Sequence, residues 1–415
     1  MLSEAASREF FNSVVRPREL LSPQLLHDYQ VKGINFVLHH RRAMLWLDMG
    51  LGKTVITLSA IAHLLDCFDI RGVLIVGPVR VIQTVWKQEA ALWQHTRHLD
   101  VSIVHGTPQT RERAITRPAD VYCVNYENLP WLVNMVRIKY TSRGRPLPFD
   151  MIVFDECTKT KSTRVAQGSQ RMHDLFYQVL PECHRRVGLT GTPLPNGYKD
   201  LFGQYLVLDD GKRLGRSETT FIQQYFYKDG YKVFPHKGED GKERIHQYIQ
   251  DMTLEMNKRD YLELPPVSHN NIVVQMPEKA QKAYNSLERE FFHEFDNGAE
   301  IDVDSKAALV NKLLQFSNGA MYYGEMDNEW EAVHEAKLDA LEEVLAEAGS
   351  PVLLAYQFRH DATRIMKRFK GQIVWIDSKV TEKELNHILG RWNAGEIPII
   401  MGHPASIGHG LNLQY

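Results

Sequence analysis

Short apolar runs punctuate the first half of the chain: residues 44–47, 72–78, 101–104, 120–126, 150–156 and 186–193. Each spans a few residues and is bounded by Gly, Pro or charged positions. Runs of this kind read as strands buried on both faces of a parallel sheet. Between them the period lengthens. Residues 55–65 form an apolar, helix-like run, and another helical segment passes through Trp86, Glu89 and Leu92. Strands that alternate with helices predict a doubly wound α/β fold. Upstream, residues 25–42 set Tyr29, Ile34, Val37 and Leu38 at helical spacing and end on basic residues, which suit a helix C-terminus. Residues 1–24 read as an irregular or helical lead-in.

The second half begins differently. Residues 209–250 hold two polar, Gly-rich turns around an aromatic group: Phe221, Tyr225, Phe226, Tyr227, Tyr231 and Phe234. Interleaved with Lys228 and Lys232, these rings could face a nucleic acid. A small accessory subdomain packing its own aromatics is the favoured reading. A strand is predicted at 272–274 and a long helix at about 278–295, with Ala283, Leu287, Phe291, Phe292 and Phe295 on its apolar face. Helical segments follow at 305–317 and 335–348. Runs at 351–357, 372–376 and 397–401 then open a second set of buried strands. The pattern predicts two α/β units: a first lobe at 1–207, an accessory insertion at 208–257, and a second lobe at 258–415 with a helical lead-in to about 348. No sequence repeat or low-complexity tract interrupts it.

Composition adds bounds. The chain has 415 residues, 43% hydrophobic and 24% charged, enough for two or three globular domains. A net charge of -2 gives no bulk argument for nucleic acid, so any basic groove must be local. The four cysteines, Cys67, Cys123, Cys157 and Cys183, stand far apart and suggest a reducing compartment without zinc or disulfides. No apolar run has membrane-spanning length, and the N-terminus lacks a secretory core. A cytoplasmic protein is the expectation, or a nuclear one if the source is eukaryotic.

The chemistry concentrates at residues 44–57. An apolar strand leads into Gly50 and Gly52, then Lys53, Thr54 and a helix. That is the layout of a phosphate-binding loop. The glycines let N–H groups turn inward, and the helix N-terminus adds positive potential. Lys53 would reach terminal phosphates and Thr54 would ligate Mg²⁺. Leu47 stands where the strict pattern has glycine, so taken alone Gly-Leu-Gly-Lys-Thr also reads as a tight turn before a helix. About a hundred residues on, the run at 150–156 delivers Asp155 and Glu156 to a strand's C-terminal end, where parallel sheets bind ligands. Asp155 would hold Mg²⁺ through water, and Glu156 would orient and deprotonate an attacking water. The Gln30 amide can pair with an adenine edge or simply be solvated. Thr190 and Thr192 either couple the nucleotide site to a second ligand or form a plain turn.

Taken in order, these segments resemble helicase superfamily two, and within it the chromatin-remodeller-like (Swi/Snf-type) DNA translocases, over about residues 25 to 414. Gln30 resembles the family's adenine-reading glutamine, and residues 48–54 resemble its motif I, which does not demand glycine at 47. Gly77 and Pro78 with Trp86 and Glu89 resemble motif Ia, and residues 125–127 motif Ib. Residues 155–162 resemble motif II with its basic extension. Leu-Thr-Gly-Thr-Pro-Leu-Pro-Asn, 189–196, resembles the form of motif III peculiar to this branch. Lys258-Arg259 with residues 264–266 resembles the crossing into the second lobe. Residues 353–358 resemble motif IV, and 408–413 motif V.

The resemblance implies two recA-like lobes across a cleft, with ATP and Mg²⁺ as cofactors. Gly408, Gly410 and Asn412 would join the nucleotide site from the second lobe. Duplex DNA would be tracked without sequence preference, with Pro78, Arg80, Tyr126 and Lys161 as expected contacts. The departures are Thr158 in place of histidine, Ile407 in place of one of a glycine pair, and a short span between motifs III and IV. Motif VI, which carries arginine fingers, is expected beyond Tyr415, so weak turnover is the expectation for these residues. A strand-separating helicase and a nucleotide-gated clamp are the alternatives. The compact chain suggests a bacterial or phage member.

Overall fold

The computed structural model describes residues 20–160, 174–175, 177–195, 197–229, 232–235, 241–261, 269–296, 303–323, 329–348, 351–377, 379–408, 411 and 413. The expected site residues Lys161, Gly410 and Asn412 lie outside them. The chain divides into two compact units, Met1–Pro265 and Pro266–Tyr415.

The first unit opens with helix α1 (Asp28–His39), strand β1 (Arg42–Leu47) and helix α2 (Lys53–Asp66). There follow β2 (Val73–Gly77), α3 (Trp86–Leu92), β3 (Val101–Val104), α4 (Pro108–Thr116), β4 (Val121–Asn125), α5 (Leu129–Lys139), β5 (Met151–Asp155) and β6 (Arg185–Thr190). Then come α6 (Leu201–Asp209), α7 (Glu218–Tyr225), the antiparallel pair β7 (Phe226–Asp229) and β8 (Lys232–Pro235), α8 (Gly241–Ile249) and β9 (Thr253–Met256). Seven strands form one sheet in the order β3-β4-β2-β5-β6-β1-β9, every pair parallel.

The alternation of side chains explains the continuous apolar runs. Met44 and Trp46 enter one core, while Ala43, Leu45 and Leu47 enter the other, on the opposite face of the sheet. Ile152 and Phe154 divide from Met151 and Val153 in the same way. Each fully buried side chain of this size contributes roughly 1.5–3 kcal/mol. Helix α6 is buried along its whole length, so it lacks a polar stripe. Residues 208–257 belong to the first unit. In its core the rings of Tyr225 and Phe226 lie 5.3 and 5.4 Å from that of Phe221, and β9 forms the sheet edge. Of the aromatics singled out in the sequence, Phe221, Tyr225 and Phe226 pack inward.

The second unit contains α9 (Glu278–Asp296), α10 (Val303–Asn318), the antiparallel pair β10 (Ala320–Tyr323) and β11 (Glu329–Ala332), and α11 (Ala336–Glu347). A parallel three-stranded sheet follows, β12 (Val352–Ala355), β14 (Ile399–Gly402) and β13 (Val374–Ile376) side by side. Helices α12 (Arg359–Arg368), α13 (Glu382–Asn393) and the one-turn α14 (Pro404–Ile407) complete it. Its sheet carries apolar clusters on both faces, the α/β pattern expected. The strand predicted at 272–274 does not form. Ile272 and Val273 are 61% and 87% exposed, and no ladder among the described residues receives them. An apolar stretch becomes a strand only where a neighbour supplies hydrogen bonds.

Candidate functional site

All strands of the first sheet point the same way, so their carboxyl ends share one edge. Register keeps the ends level: Trp46 pairs with Thr190, and Asp155 with Leu189. The expected phosphate loop follows β1, the acidic pair follows β5, and the Thr190 turn follows β6, which lies between them.

In the loop Gly50 and Gly52 take φ of +92° and +78°. Gly52 is the left-handed N-cap of α2 and has no side-chain cap. The N–H groups of the first turn of α2 are therefore available to an anion. Leu47 remains in β1, fully buried, which is why this loop needs no glycine there. The Lys53 ammonium donates to the Leu47 carbonyl at 2.8 Å and the Asp48 carbonyl at 3.5 Å. Burial lowers its pKa, while Glu156, Asp155 and Asp48 pull it back up. A methyl on Gly191 would stand 3.3 Å from both Lys53 Nζ and the Leu47 oxygen, so the turn after β6 packs directly on this lysine. Thr54 is half-buried in the first turn of α2. Gln30 is buried in α1 beside the loop. Its Oε1 accepts from the His27 N–H at 3.0 Å, and its Nε2 lies where a Gly52 side chain would go.

Asp155 ends β5 and is 7% exposed. Trp86 Nε1–H donates to its Oδ2 at 3.0 Å, and the Glu156 N–H donates to its Oδ1 at 3.1 Å. Burial, and then the Glu156 charge, push the Asp155 carboxyl up to about 6. Glu156 has φ of +52°, one of three non-glycine residues with positive φ among those described. For such a residue that conformation costs roughly 1–2 kcal/mol and tends to persist at functional sites. The Thr190 hydroxyl is buried and accepts from the Thr192 N–H at 3.1 Å.

Among the described residues no group of three or more His, Cys, Asp or Glu side chains is arranged to hold a metal ion. The donor set here is a buried carboxylate and a threonine hydroxyl. That suits Mg²⁺, which keeps several waters and takes phosphate oxygens as its other ligands.

The structure corrects one expected DNA contact. Tyr126 is 2% exposed, and its hydroxyl donates to the Asp155 carbonyl at 2.9 Å; it supports the acidic pair from inside. Pro78 and Arg80 are half-buried after β2, where their carbonyls accept from the Ile82 N–H and the Thr84 hydroxyl. Gly408 caps α14 in the second unit, and a side chain there would strike the Pro404 carbonyl. In the same unit a cavity of about 540 Å³ opens at the carboxyl ends of β12 and β14, lined in part by Tyr356, Gln357, Asp361, Arg364 and His403.

Sequence reasoning missed two arrangements. The Trp86–Asp155 bond spans 69 residues, and no local pattern announces it. The Asp48 carboxylate accepts from the Lys258 N–H at 2.9 Å, across 210 residues, and the Asp48 N–H donates to the Met256 carbonyl. The ring of Tyr261 lies 5.0 Å from that of Tyr29, so the turn Lys258–Tyr261 touches both the phosphate loop and the helix that carries Gln30.

A parallel sheet with the Gly50–Lys53 turn after one strand and an Asp-Glu pair two strands away has the layout of a helicase-type lobe of superfamily two. The SNF2-related domain model matches residues 29–318, and the chain belongs to that Swi/Snf-type family. It is 37% identical over 395 residues to protein p41 of Acyrthosiphon pisum secondary endosymbiont phage 1, covering 93% of this chain and 82% of that one. It is 28% identical over 304 residues to the ISWI chromatin-remodeling complex ATPase ISW2 of Saccharomyces cerevisiae, covering 70% of this chain but only 25% of that protein. Among solved structures it is similar to the SWI2/SNF2 ATPase core of Sulfolobus solfataricus in complex with dsDNA: TM-score 0.47, 20% identity, 91% of this chain and 78% of that one.

Proposed function

We propose that this protein is an ATP-driven motor that binds ATP with Mg²⁺, hydrolyses it and moves along duplex DNA. One observation carries the reading: the Gly50–Lys53 loop and the Asp155–Glu156 pair share one sheet edge, close enough that both carboxylates act on the Lys53 ammonium. Lys53 would leave the Leu47 carbonyl for the terminal phosphates. Thr54 and Asp155 would hold Mg²⁺, which when bound neutralises phosphate charge. Glu156 would orient and deprotonate the attacking water. Gln30 would meet the adenine edge, and Gly408, Gly410 and Asn412 would contribute from the second unit. Thr190 and Thr192 would couple the site to nucleic acid. DNA would be gripped through its backbone phosphates, without sequence preference, with Pro78, Arg80 and Lys161 among the contacts. The phage relative supports a place in the bacterial cytoplasm. No described helix is long and apolar enough to cross a membrane.

The test is steady-state ATPase turnover with and without duplex DNA, for the wild type and Glu156→Gln. DNA-stimulated turnover that the substitution abolishes supports the motor, and an unwinding assay on a tailed duplex then separates translocation from strand separation. Nucleotide binding that requires Lys53 without any turnover would favour a nucleotide-gated clamp. No nucleotide binding would overturn the proposal.

A further inference from the structure

We infer that Trp86 and Tyr126 are positioning residues that hold the acidic pair in working geometry and tie it to the surface segments following β2 and β4. The inference rests on the proposed roles of Asp155 and Glu156.

A buried carboxylate needs its lone pairs aimed as well as its charge balanced. Asp155 receives a side-chain donor from Trp86 and a backbone donor from its own neighbour, Glu156. The indole of Trp86 is wholly buried, so its N–H has no water to turn to. The chain also makes room for this contact. A methyl at Gly77 would stand 3.3 Å from Asp155 Cβ and 3.1 Å from Ile82 Cγ2.

The direction of the indole depends on the turn before it. Residues Val81–Val85 form a π-helical turn, and α3 begins at Trp86 itself. Such turns carry one residue more than an α-turn and concentrate at functional sites. Relaxing it to α-geometry would slip the helix by one residue, a rotation of roughly 100°, and swing the indole N–H away from Asp155. The turn starts beside Arg80, on the segment proposed to meet DNA. A change in that segment therefore has a rigid path, one turn long, to the carboxylate.

Tyr126 works on the backbone. It opens the 3-10 turn Tyr126–Asn128 after β4, and its hydroxyl donates to the Asp155 carbonyl at 2.9 Å and lies 3.5 Å from the Glu156 carbonyl. Glu156 sits in the left-handed region, which needs outside support. Two peptide carbonyls held by one phenol supply it.

The experiment uses the full chain with Trp86→Phe and Tyr126→Phe, each keeping its ring and losing one donor. Three quantities are read: the Mg²⁺ concentration that half-saturates binding of a fluorescent ADP analogue, kcat against KM for ATP, and the stimulation by duplex DNA. Trp86→Phe should raise the Mg²⁺ requirement roughly tenfold or more, the usual effect of losing an outer-shell partner. Tyr126→Phe should lower kcat with little change in KM, and both should blunt DNA stimulation. Variants that melt lower yet keep the wild-type Mg²⁺ requirement, kcat and stimulation would overturn the inference and leave a packing role. Should Trp86→Phe prevent folding, Gly77→Ala presses on Asp155 from β2 and should raise the Mg²⁺ requirement in the same way. A wild type with no Mg²⁺-dependent nucleotide binding would instead sink the functional reading, and this inference with it.

Discussion

Replacing Asp155 with asparagine should make the protein more stable at neutral pH while removing Mg²⁺-dependent nucleotide binding. The carboxyl stands near 6 in the fold against 3.8 for an ordinary aspartate, chiefly because it is buried. The folded state therefore binds this proton more tightly than the unfolded chain does. Stability falls as pH rises from about 4 to about 6 and stays lowered above that, where the buried group is charged. Two units at 1.36 kcal/mol each set a ceiling of roughly 3 kcal/mol. Asparagine removes that penalty but can satisfy only one of the two N–H donors that now face the carboxylate, which returns about 1 kcal/mol. The net gain is then about 1–2 kcal/mol, or roughly 2–8 °C in melting temperature for a unit of this size. The assay is thermal melting of the two proteins from pH 4 to pH 8. The difference should be near zero or slightly negative at pH 4, grow through pH 6 and level off. A variant less stable than the wild type at pH 8, or a difference that ignores pH, would refute the reasoning.

Three further outcomes follow from the geometry. Gly52→Ala puts a methyl into the Gln30 amide at a left-handed position, so nucleotide affinity should fall more than tenfold by fluorescence titration; wild-type affinity would contradict the loop's tight fit. Arg186→Met should destabilise by roughly 3–5 kcal/mol in chemical denaturation, because it strands Asp210 and the Leu180 and Val207 carbonyls around a guanidinium that is 1% exposed. A loss under 1 kcal/mol would show that the pocket rehydrates. Asp48→Ala should speed hydrogen exchange at the Lys258 amide by roughly tenfold, and unchanged protection would mean that the bond does not persist in solution.

Much of this protein is written locally. An apolar run of a few residues specifies a buried strand wherever it falls, because both faces of a parallel sheet are dry. That logic placed six of the seven strands of the first sheet and the three of the second within about three residues, and missed the edge strand β9. The phosphate loop and the acidic pair were legible for a related reason. Gly50, Gly52, Lys53 and Thr54 are adjacent, and Asp155–Glu156 sits at the end of its own strand, so each half of the site carries its signature in one short window.

Contacts between windows were not legible. Nothing near Trp86 says that its indole will meet Asp155, and nothing near Tyr126 says that its hydroxyl will turn inward to the acidic pair rather than outward to DNA. The strand order decides this: β2 lies beside β5 and β4 one strand further on, although helical segments part them in the chain. The same order carries β9 to the far side of β1 and brings Lys258 to Asp48. In the second unit no strand among the described residues pairs with 272–274, so an apolar stretch with the composition of a strand leaves Ile272 and Val273 exposed. Side-chain periodicity fixes what each segment can bury. Which donor meets which acceptor depends on how the sheet closes, because a hydrogen bond needs its partner within about 3 Å, and only the assembled sheet brings residues so distant in sequence that close.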